Sequence, residues 1–83
     1  MTAPFPRSPA GESTVVTFGT FDVFHFGHPR QLERARALGS RLVVGVSTDD
    51  LNVSKKGRAP VFSQQERSRI VGALRCVDET VLE

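Results

Sequence analysis

Two histidines three positions apart, His25 and His28, are the residues of this chain best suited to carry chemistry. They lie in the segment Gly19–His28, and Pro29 follows at once, where proline favours the first turn of a helix. A helix start exposes unpaired amides and the positive end of a dipole, which suits a phosphate group. Imidazoles at such a place can donate to phosphate oxygens as charge develops on them. The pattern therefore predicts a phosphate-binding site.

The histidine pair has two less specific interpretations. A His-x-x-His pair can belong to a metal site, but the chain has no further histidine and only one cysteine, Cys76, to complete a zinc centre. Cys76 itself is interpreted as a small core residue rather than a catalytic thiol. Two loop histidines can also be simply solvated. The spacing becomes specific only together with a preceding strand, the Gly-Thr-Phe-Asp sequence and the proline-started helix.

The elements that position the histidines are a strand and a helix. The β-branched and aromatic run Thr14–Phe18 predicts the strand, which Gly19 ends. The helix is predicted to start at Pro29 and to stop at Gly39. Its apolar positions at helical spacing are Leu32, Ala35 and Leu38.

Three further segments complete the predicted order. The nearly continuous apolar run Arg41–Val46 is typical of a strand buried on both faces, and the polar segment Ser47–Pro60 is interpreted as a loop. Ser63 and Glu66 have the spacing of a capping box at the start of a second helix, and a third strand begins at Thr80. The apolar face of the second helix consists of Ile70, Val71 and Leu74.

The alternation of strands and helices predicts an α/β fold with a right-handed, parallel sheet. With three strands, Thr14–Phe18 would be an exposed apolar edge, so we expect a truncated chain or one that completes its sheet with a partner. Residues 1–13 contain proline, serine and glycine without the apolar centre of a signal peptide, and they are interpreted as a disordered leader.

Composition limits the possible classes of protein. The 83 residues fit one domain at most, and the net charge of +2 is too weak to indicate a nucleic-acid partner. No stretch approaches the roughly 18 apolar residues of a membrane span. One cysteine excludes an intramolecular disulfide framework and fits a reducing compartment. We therefore expect a cytoplasmic protein.

The segment Gly19–His28 matches the first signature of the cytidylyltransferases, which are nucleotidyltransferases with an H-x-G-H motif, and the chain resembles this family from about Thr14 to Glu83. The resemblance implies a Rossmann-like fold, with residues 14–83 as its nucleotide-binding N-terminal portion. It also implies transfer of CMP from CTP to a small phosphorylated alcohol, with glycerol 3-phosphate favoured, and release of pyrophosphate. Matching segments elsewhere are Leu32–Ala35, Leu42–Val44, Ser47–Asp50, Ser63 with Arg67, and Arg75–Glu79.

The same resemblance implies roles for individual residues. His25 and His28 contact the CTP phosphates and stabilise the transition state, and Lys55 serves the phosphates as a third catalytic residue. A second family lysine corresponds to Lys56 or Arg58, because the loop is one residue longer here. The residues that complete the nucleotide-binding turn are Gly19, Thr20 and Phe21.

Two arginines match positions associated with the substrate phosphate in the family, Arg67 and Arg75. A surface ion pair is an equally good interpretation of Arg67, and Arg75 can merely complement the dipole at the end of its helix. For the lysines, Lys55 and Lys56, a solvated loop is the alternative. The substrate-phosphate set predicted by resemblance is therefore Lys55, Lys56, Arg67 and Arg75.

Mg²⁺ is the expected cofactor, with CTP as the substrate. By resemblance, Asp22 helps to organise the site or binds the Mg²⁺. Asp49 lies near the second substrate or the metal by the same resemblance, although it can equally cap a turn. The family also makes a homodimer the expected assembly.

One departure from the family pattern concerns the C-terminal signature of the form Arg-Thr-x-Gly-x-Ser-Thr, which is absent from this sequence. The signature grips the triphosphate, so we expect the chain to be inactive by itself. Two alternatives stay open: an adenylyltransferase that uses ATP and a sugar phosphate, and a non-catalytic binding fragment.

Overall fold

The computed structural model describes residues 2–4 and 13–83 as one sheet flanked by helices. The strands are β1 (Thr2–Pro4), β2 (Thr14–Gly19), β3 (Arg41–Val46) and β4 (Glu79–Leu82), and the helices are α1 (Gly27–Arg36), α2 (Asp49–Lys56) and α3 (Gln64–Gly72). The strands follow the order β1-β2-β3-β4 across the sheet. The predicted α/β class is confirmed, because β2, β3 and β4 run parallel to one another.

The strand β1 differs from the prediction of a disordered leader. Residues 2–4 pair antiparallel with β2, with Thr2 opposite Thr17 and Pro4 opposite Val15. This pairing covers the middle of β2, so the prediction that β2 would be a bare edge is wrong. An extended segment satisfies the backbone groups of an edge strand as well as a parallel neighbour would. The rest of the predicted leader, apart from Ser13, lies outside the described residues.

The core lies between the sheet and the helices α1 and α3. Leu42, Val44 and Val46 of β3 have no exposed surface, as expected for a strand with β2 on one side and β4 on the other. Helix α1 buries Leu32 and Ala35 as predicted. Leu38, by contrast, is 62% exposed, because α1 ends before it at Arg36. The remaining core residues are Val15, Phe21, Val71 and Val77.

Helix α2 replaces most of the predicted polar loop between residues 47 and 60. Thr48 caps it by accepting from the amide of Leu51 at 3.1 Å. Gly57 ends it in a left-handed conformation (φ 78°) and donates its amide to Val53 at 2.9 Å. Acidic residues in the first turn and lysines in the last turn complement the helix dipole. The prediction of a loop was wrong. Helix α2 has few apolar positions, so its start signal at Thr48 and its stop signal at Gly57 are not accompanied by a helical hydrophobic pattern.

The predicted capping box of α3 is confirmed. Ser63 accepts from the amide of Glu66 at 3.2 Å, and the Glu66 carboxylate accepts from the amide of Ser63 at 3.0 Å. Only part of the predicted apolar face of α3 is buried. Val71 has no exposed surface, whereas the Ile70 residue is 39% exposed. None of the helices in the described part of the chain is long and apolar enough to cross a membrane.

The adjacent strands β2 and β3 leave room for an aromatic ring. Phe18 lies opposite Gly45 in the parallel register. The Phe18 ring occupies the place where a Cβ atom of residue 45 would lie, so this contact requires glycine.

Candidate active site

The loop after β2 and the start of α1 bring His25 and His28 together, with ring centroids 4.0 Å apart. The Nδ1 of His25 accepts from the amide of Gly27 at 3.1 Å, and the Nδ1 of His28 accepts from the amide of His25 at 3.2 Å. An accepting Nδ1 places the proton of a neutral imidazole on Nε2. Each ring therefore keeps one N–H donor, on Nε2, for a ligand.

His28 is held by aromatic rings on the inner side of the loop. The ring of Phe24 lies 4.9 Å from the His28 ring between centroids, and the buried ring of Phe21 lies at 5.5 Å in an edge-to-face arrangement. This burial, with a smaller contribution from the charge of His25, lowers the pKa of His28 below its ordinary value of 6.5. His28 is therefore a neutral donor at neutral pH.

The loop that carries the histidines has unusual backbone geometry on both sides of Asp22. Phe21 (φ 54°) and Val23 (φ 47°) both occupy the left-handed region, which is costly for residues with a bulky or branched side chain. The Asp22 carboxylate accepts from the amides of Val61 at 2.8 Å and Phe62 at 2.9 Å. The loop is thus fastened to the segment that precedes α3.

Asp22 and Asp49, the two possible metal ligands, are both engaged by the protein. Burial by itself raises the pKa of Asp22, but amide hydrogen bonds and the charge of Arg67 outweigh it, so the pKa is lowered overall. Asp49 accepts from Arg67 at 2.7 Å and from the amide of Gln64 at 3.3 Å. Within residues 2–4 and 13–83 no group of three or more histidine, cysteine or acidic side chains could hold a metal ion.

Arg67 is fully buried, and its guanidinium donates hydrogen bonds to several separate segments of the chain. Its Nη1 donates to the carbonyls of Thr20 at 2.8 Å and Ser47 at 2.7 Å, which follow β2 and β3. Its Nε donates to the carbonyl of Phe62 at 3.0 Å, and its Nη2 donates to Asp49. The predicted contact between Arg67 and a substrate phosphate does not fit this position, because protein acceptors already surround the guanidinium.

Three polar side chains are hydrogen-bonded in a ring between the ends of β2 and β3, and this ring is here called the polar floor. The hydroxyl of Ser47 donates to Thr20 at 3.2 Å, Thr20 donates to the Asn52 carbonyl at 3.3 Å, and the Asn52 amide donates to Ser47 at 2.8 Å. Asn52 is only 3% exposed. The sequence analysis missed Asn52, since its position four residues after the Thr48 cap has meaning only once α2 is recognised.

Two clefts open on either side of this polar floor. The first, here called the histidine cleft, has a volume of about 490 Å³, and the second, the lysine cleft, has about 460 Å³. Thr20, Asn52 and Lys56 line both. The histidine cleft is completed by Phe21, Asp22, His28, Arg58, Ala59, Pro60 and Val61. The lysine cleft is completed by Phe18, Gly19, Ser47, Leu51, Lys55 and Glu83.

The clefts divide the predicted cations among three places. Lys56 and Arg58 line the histidine cleft with His28, whereas Lys55 lines only the lysine cleft. Arg75 lies elsewhere, in a cleft shared with Pro29 and other residues of α1. The structure therefore does not bring Arg75 together with His28, because the two residues line different clefts.

Comparison with known proteins identifies the family. The family model described as cytidylyltransferase-like matches residues 16–83, which include the whole site. The chain belongs to the cytidylyltransferase-like family, as its histidine motif predicts.

Individual relatives show how far the similarity extends. The chain is 46% identical over 69 residues to glycerol-3-phosphate cytidylyltransferase of Bacillus subtilis (strain 168), covering 83% of this chain and 53% of that protein. It is also 46% identical over 68 residues to FAD synthase of Thermococcus sibiricus, covering 82% of this chain and 46% of that protein. The chain thus spans about half the length of each relative.

A solved structure has the same fold. It is the lipopolysaccharide core biosynthesis protein of Thermoplasma volcanium GSS1, with a TM-score of 0.75 and 32% sequence identity. The match covers 82% of this chain and 55% of that structure. The predicted Rossmann-like nucleotidyltransferase architecture is confirmed by this similarity.

Proposed function

We propose that this domain transfers CMP from CTP to a small phosphorylated alcohol, with glycerol 3-phosphate as the first candidate. The observation that carries the proposal is the arrangement of His25 and His28. Their rings lie side by side at the start of α1, and each has its Nδ1 occupied by a backbone amide. The Nε2–H donors of this pair suit a triphosphate, together with Lys56 and Arg58, which line a cleft with His28.

The proposed reaction needs no protein nucleophile. An oxygen of the acceptor phosphate attacks the α-phosphorus of CTP, and a new P–O bond forms. The bond between that phosphorus and the oxygen bridging to the β-phosphorus breaks, so its electrons leave with pyrophosphate. The protein contributes positioning and neutralisation of charge, which suffice for much of phosphoryl-transfer catalysis. His25 and His28 donate where negative charge grows.

The two clefts suggest where the two substrates bind. The triphosphate fits the histidine cleft, where Lys56 and Arg58 lie near His28. The acceptor phosphate fits the lysine cleft, where Lys55 is exposed. Lys56 lines both clefts and would contact both phosphates, so one ammonium would help to hold the attacking oxygen close to the α-phosphorus.

Mg²⁺ is proposed as a companion of CTP rather than as a resident ion. Mg²⁺ in nucleotide enzymes is commonly held by substrate phosphates and water with one or two carboxylates. Both candidate carboxylates, Asp22 and Asp49, are already hydrogen-bonded within the protein. No step of the proposed reaction is therefore assigned to a metal bound by this chain alone.

An adenylyltransferase is the second candidate function. The observation in its favour is that FAD synthase of Thermococcus sibiricus is as similar to this chain as the glycerol-3-phosphate enzyme is. The histidines and the lysines of the site contact phosphates in this proposal and do not distinguish cytosine from adenine.

Pyrophosphate release measured with a matrix of substrates tests both candidates. CTP and ATP are each combined with glycerol 3-phosphate, ethanolamine phosphate, a sugar phosphate or no acceptor, and nucleotide binding is measured in parallel by calorimetry. We expect binding of CTP over ATP and, in a form extended with the C-terminal signature, turnover only with CTP and glycerol 3-phosphate. Turnover with ATP alone would favour the second candidate, and failure to bind either nucleotide would overturn both. His28→Ala is the matched control for background hydrolysis.

A further inference from the structure

The segment that forms the outer wall of the histidine cleft is held by hydrogen bonds at two adjacent residues, Val61 and Phe62. The amide of Phe62 donates to one oxygen of Asp22 at 2.9 Å, and the amide of Val61 donates to the other at 2.8 Å. The carbonyl of the same Phe62 accepts from the buried Arg67 at 3.0 Å. Both polar backbone groups of Phe62 are thus anchored to ionised side chains.

Apolar packing contributes little to holding this wall. The wall, residues 58–62, lies between α2 and α3 without regular secondary structure. Val61 is 76% exposed and Phe62 is 36% exposed, so neither side chain is a core anchor. Hydrogen bonds to charged groups are the stronger kind, and they are what remains to fix the wall.

The anchor connects the wall to the imidazole as well. Asp22 lies between Phe21 and Val23, the two residues with left-handed backbone. The Phe21 ring packs edge-to-face against His28. A strained conformation persists only when its surroundings over-determine it, and the two bonds of Asp22 are part of those surroundings. Releasing Asp22 would loosen the wall on one side and the support of His28 on the other.

We infer that Asp22 is a positioning residue that fastens the wall 58–62 to the histidine loop, rather than a ligand of Mg²⁺. A cation at the Asp22 carboxylate would face the two amide hydrogens that now point at its oxygens. The inference rests on the proposed function only in treating the cleft as the nucleotide site, since the anchor itself is independent of any ligand.

Amide hydrogen exchange on the intact 83-residue chain tests the anchor without requiring activity. In Asp22→Asn the side chain presents one oxygen and one NH₂ group to two amide donors, so one bond is lost and a donor faces a donor. We expect exchange at Val61 and Phe62 to accelerate by roughly tenfold to hundredfold, with little change at the core amide of Val44. Asp50→Asn, at an exposed aspartate on α2, is the matched control and should leave these rates unchanged.

A second measurement separates positioning from metal binding. The affinity for CTP is determined by calorimetry at several Mg²⁺ concentrations for wild type, Asp22→Asn and Asp22→Glu. A positioning residue predicts weaker CTP binding by the same factor at every Mg²⁺ concentration, with partial recovery in Asp22→Glu, which keeps the acceptors. A defect that high Mg²⁺ abolishes would overturn the inference in favour of a metal ligand.

Two results of the amide exchange experiment would contradict the inference. Unchanged exchange at Val61 and Phe62 in Asp22→Asn would overturn the inference, as would equal acceleration at Val44, since an anchor limited to the wall predicts a local effect. If wild type binds no CTP while the exchange result is as expected, the proposed function fails and the anchor stands.

Discussion

Arg67 and Asp49 form an ion pair across 2.7 Å in which the arginine side chain is fully buried and the aspartate is partly exposed. The pair joins the first residue of α2 to the middle of α3. Desolvating a guanidinium is costly, and the cost is offset only when its other N–H groups also find acceptors. Here the carbonyls of Thr20, Ser47 and Phe62 supply them. The ends of both central strands therefore depend on one side chain.

Replacing Arg67 is expected to destabilise the domain strongly. Arg67→Met leaves the Asp49 carboxylate without its charged partner and removes the donor from three carbonyls, which should lower the free energy of unfolding by about 3–5 kcal/mol. Arg67→Lys should also be destabilising, because a single ammonium cannot reach acceptors spread around a planar fork. Urea denaturation followed by circular dichroism measures the change.

The control for this prediction is Arg69→Met on the same helix. Arg69 is exposed, so its replacement should change the free energy of unfolding by no more than about 0.5 kcal/mol. Equal stability of the Arg67 and Arg69 variants would show that the buried network contributes nothing net.

The histidines are predicted to act on turnover rather than on acceptor affinity. His28→Ala or His25→Ala removes one donor from the site of growing charge, a loss of about 10²–10³ in kcat at comparable sites. The KM for the acceptor should change little, because the acceptor is proposed to bind in the lysine cleft. Steady-state pyrophosphate release by an active form measures both constants, and near-normal turnover in either variant contradicts the assignment.

Stability should fall with acidity in a window set by His28. Its pKa in the folded chain is lowered below the ordinary value of 6.5, so at pH values just below 6.5 the unfolded chain binds more protons than the folded chain. The contribution is therefore fully present above that value and is lost as the pH falls toward the folded pKa. Denaturation midpoints between pH 7.5 and pH 5 measure it, and His28→Gln should flatten this part of the profile.

The two lysines should separate kinetically although they are adjacent. Lys55 lines only the lysine cleft, so Lys55→Ala should raise the KM for the acceptor and leave CTP binding nearly unchanged. Lys56 lines both clefts, and Lys56→Ala should weaken both substrates. Calorimetry with CTP and acceptor titrations at saturating CTP distinguish these outcomes. Identical effects of the two substitutions would remove the basis for assigning separate clefts.

The elements that could be predicted are those with local signals. The run Arg41–Val46 is β3 to the residue, because a strand buried on both faces has apolar side chains throughout. The capping box of Ser63 and Glu66 marks the start of α3, because both hydrogen bonds join residues three apart. Helix α2 also had local signals, in Thr48 and Gly57, but a short helix with a mainly polar surface has little periodicity to draw attention to them.

The contacts that could not be predicted join segments distant in the sequence. Arg67 reaches Thr20 across 47 positions and Asp49 across 18, and nothing beside Arg67 indicates that acceptors will gather around it. Asp22 reaches Phe62 across 40 positions. A motif places such residues near a site, but their partners depend on how the strands and helices pack.

The contact between Phe18 and Gly45 has a consequence for how substrate preference can change. Phe18 lines the lysine cleft, and its ring rests where residue 45 has no side chain. Adding a single methyl group at position 45 would force the Phe18 ring to move and so change the shape of the lysine cleft. In the proposed reaction, selection for a different acceptor would then act on a strand residue that does not itself line the cleft.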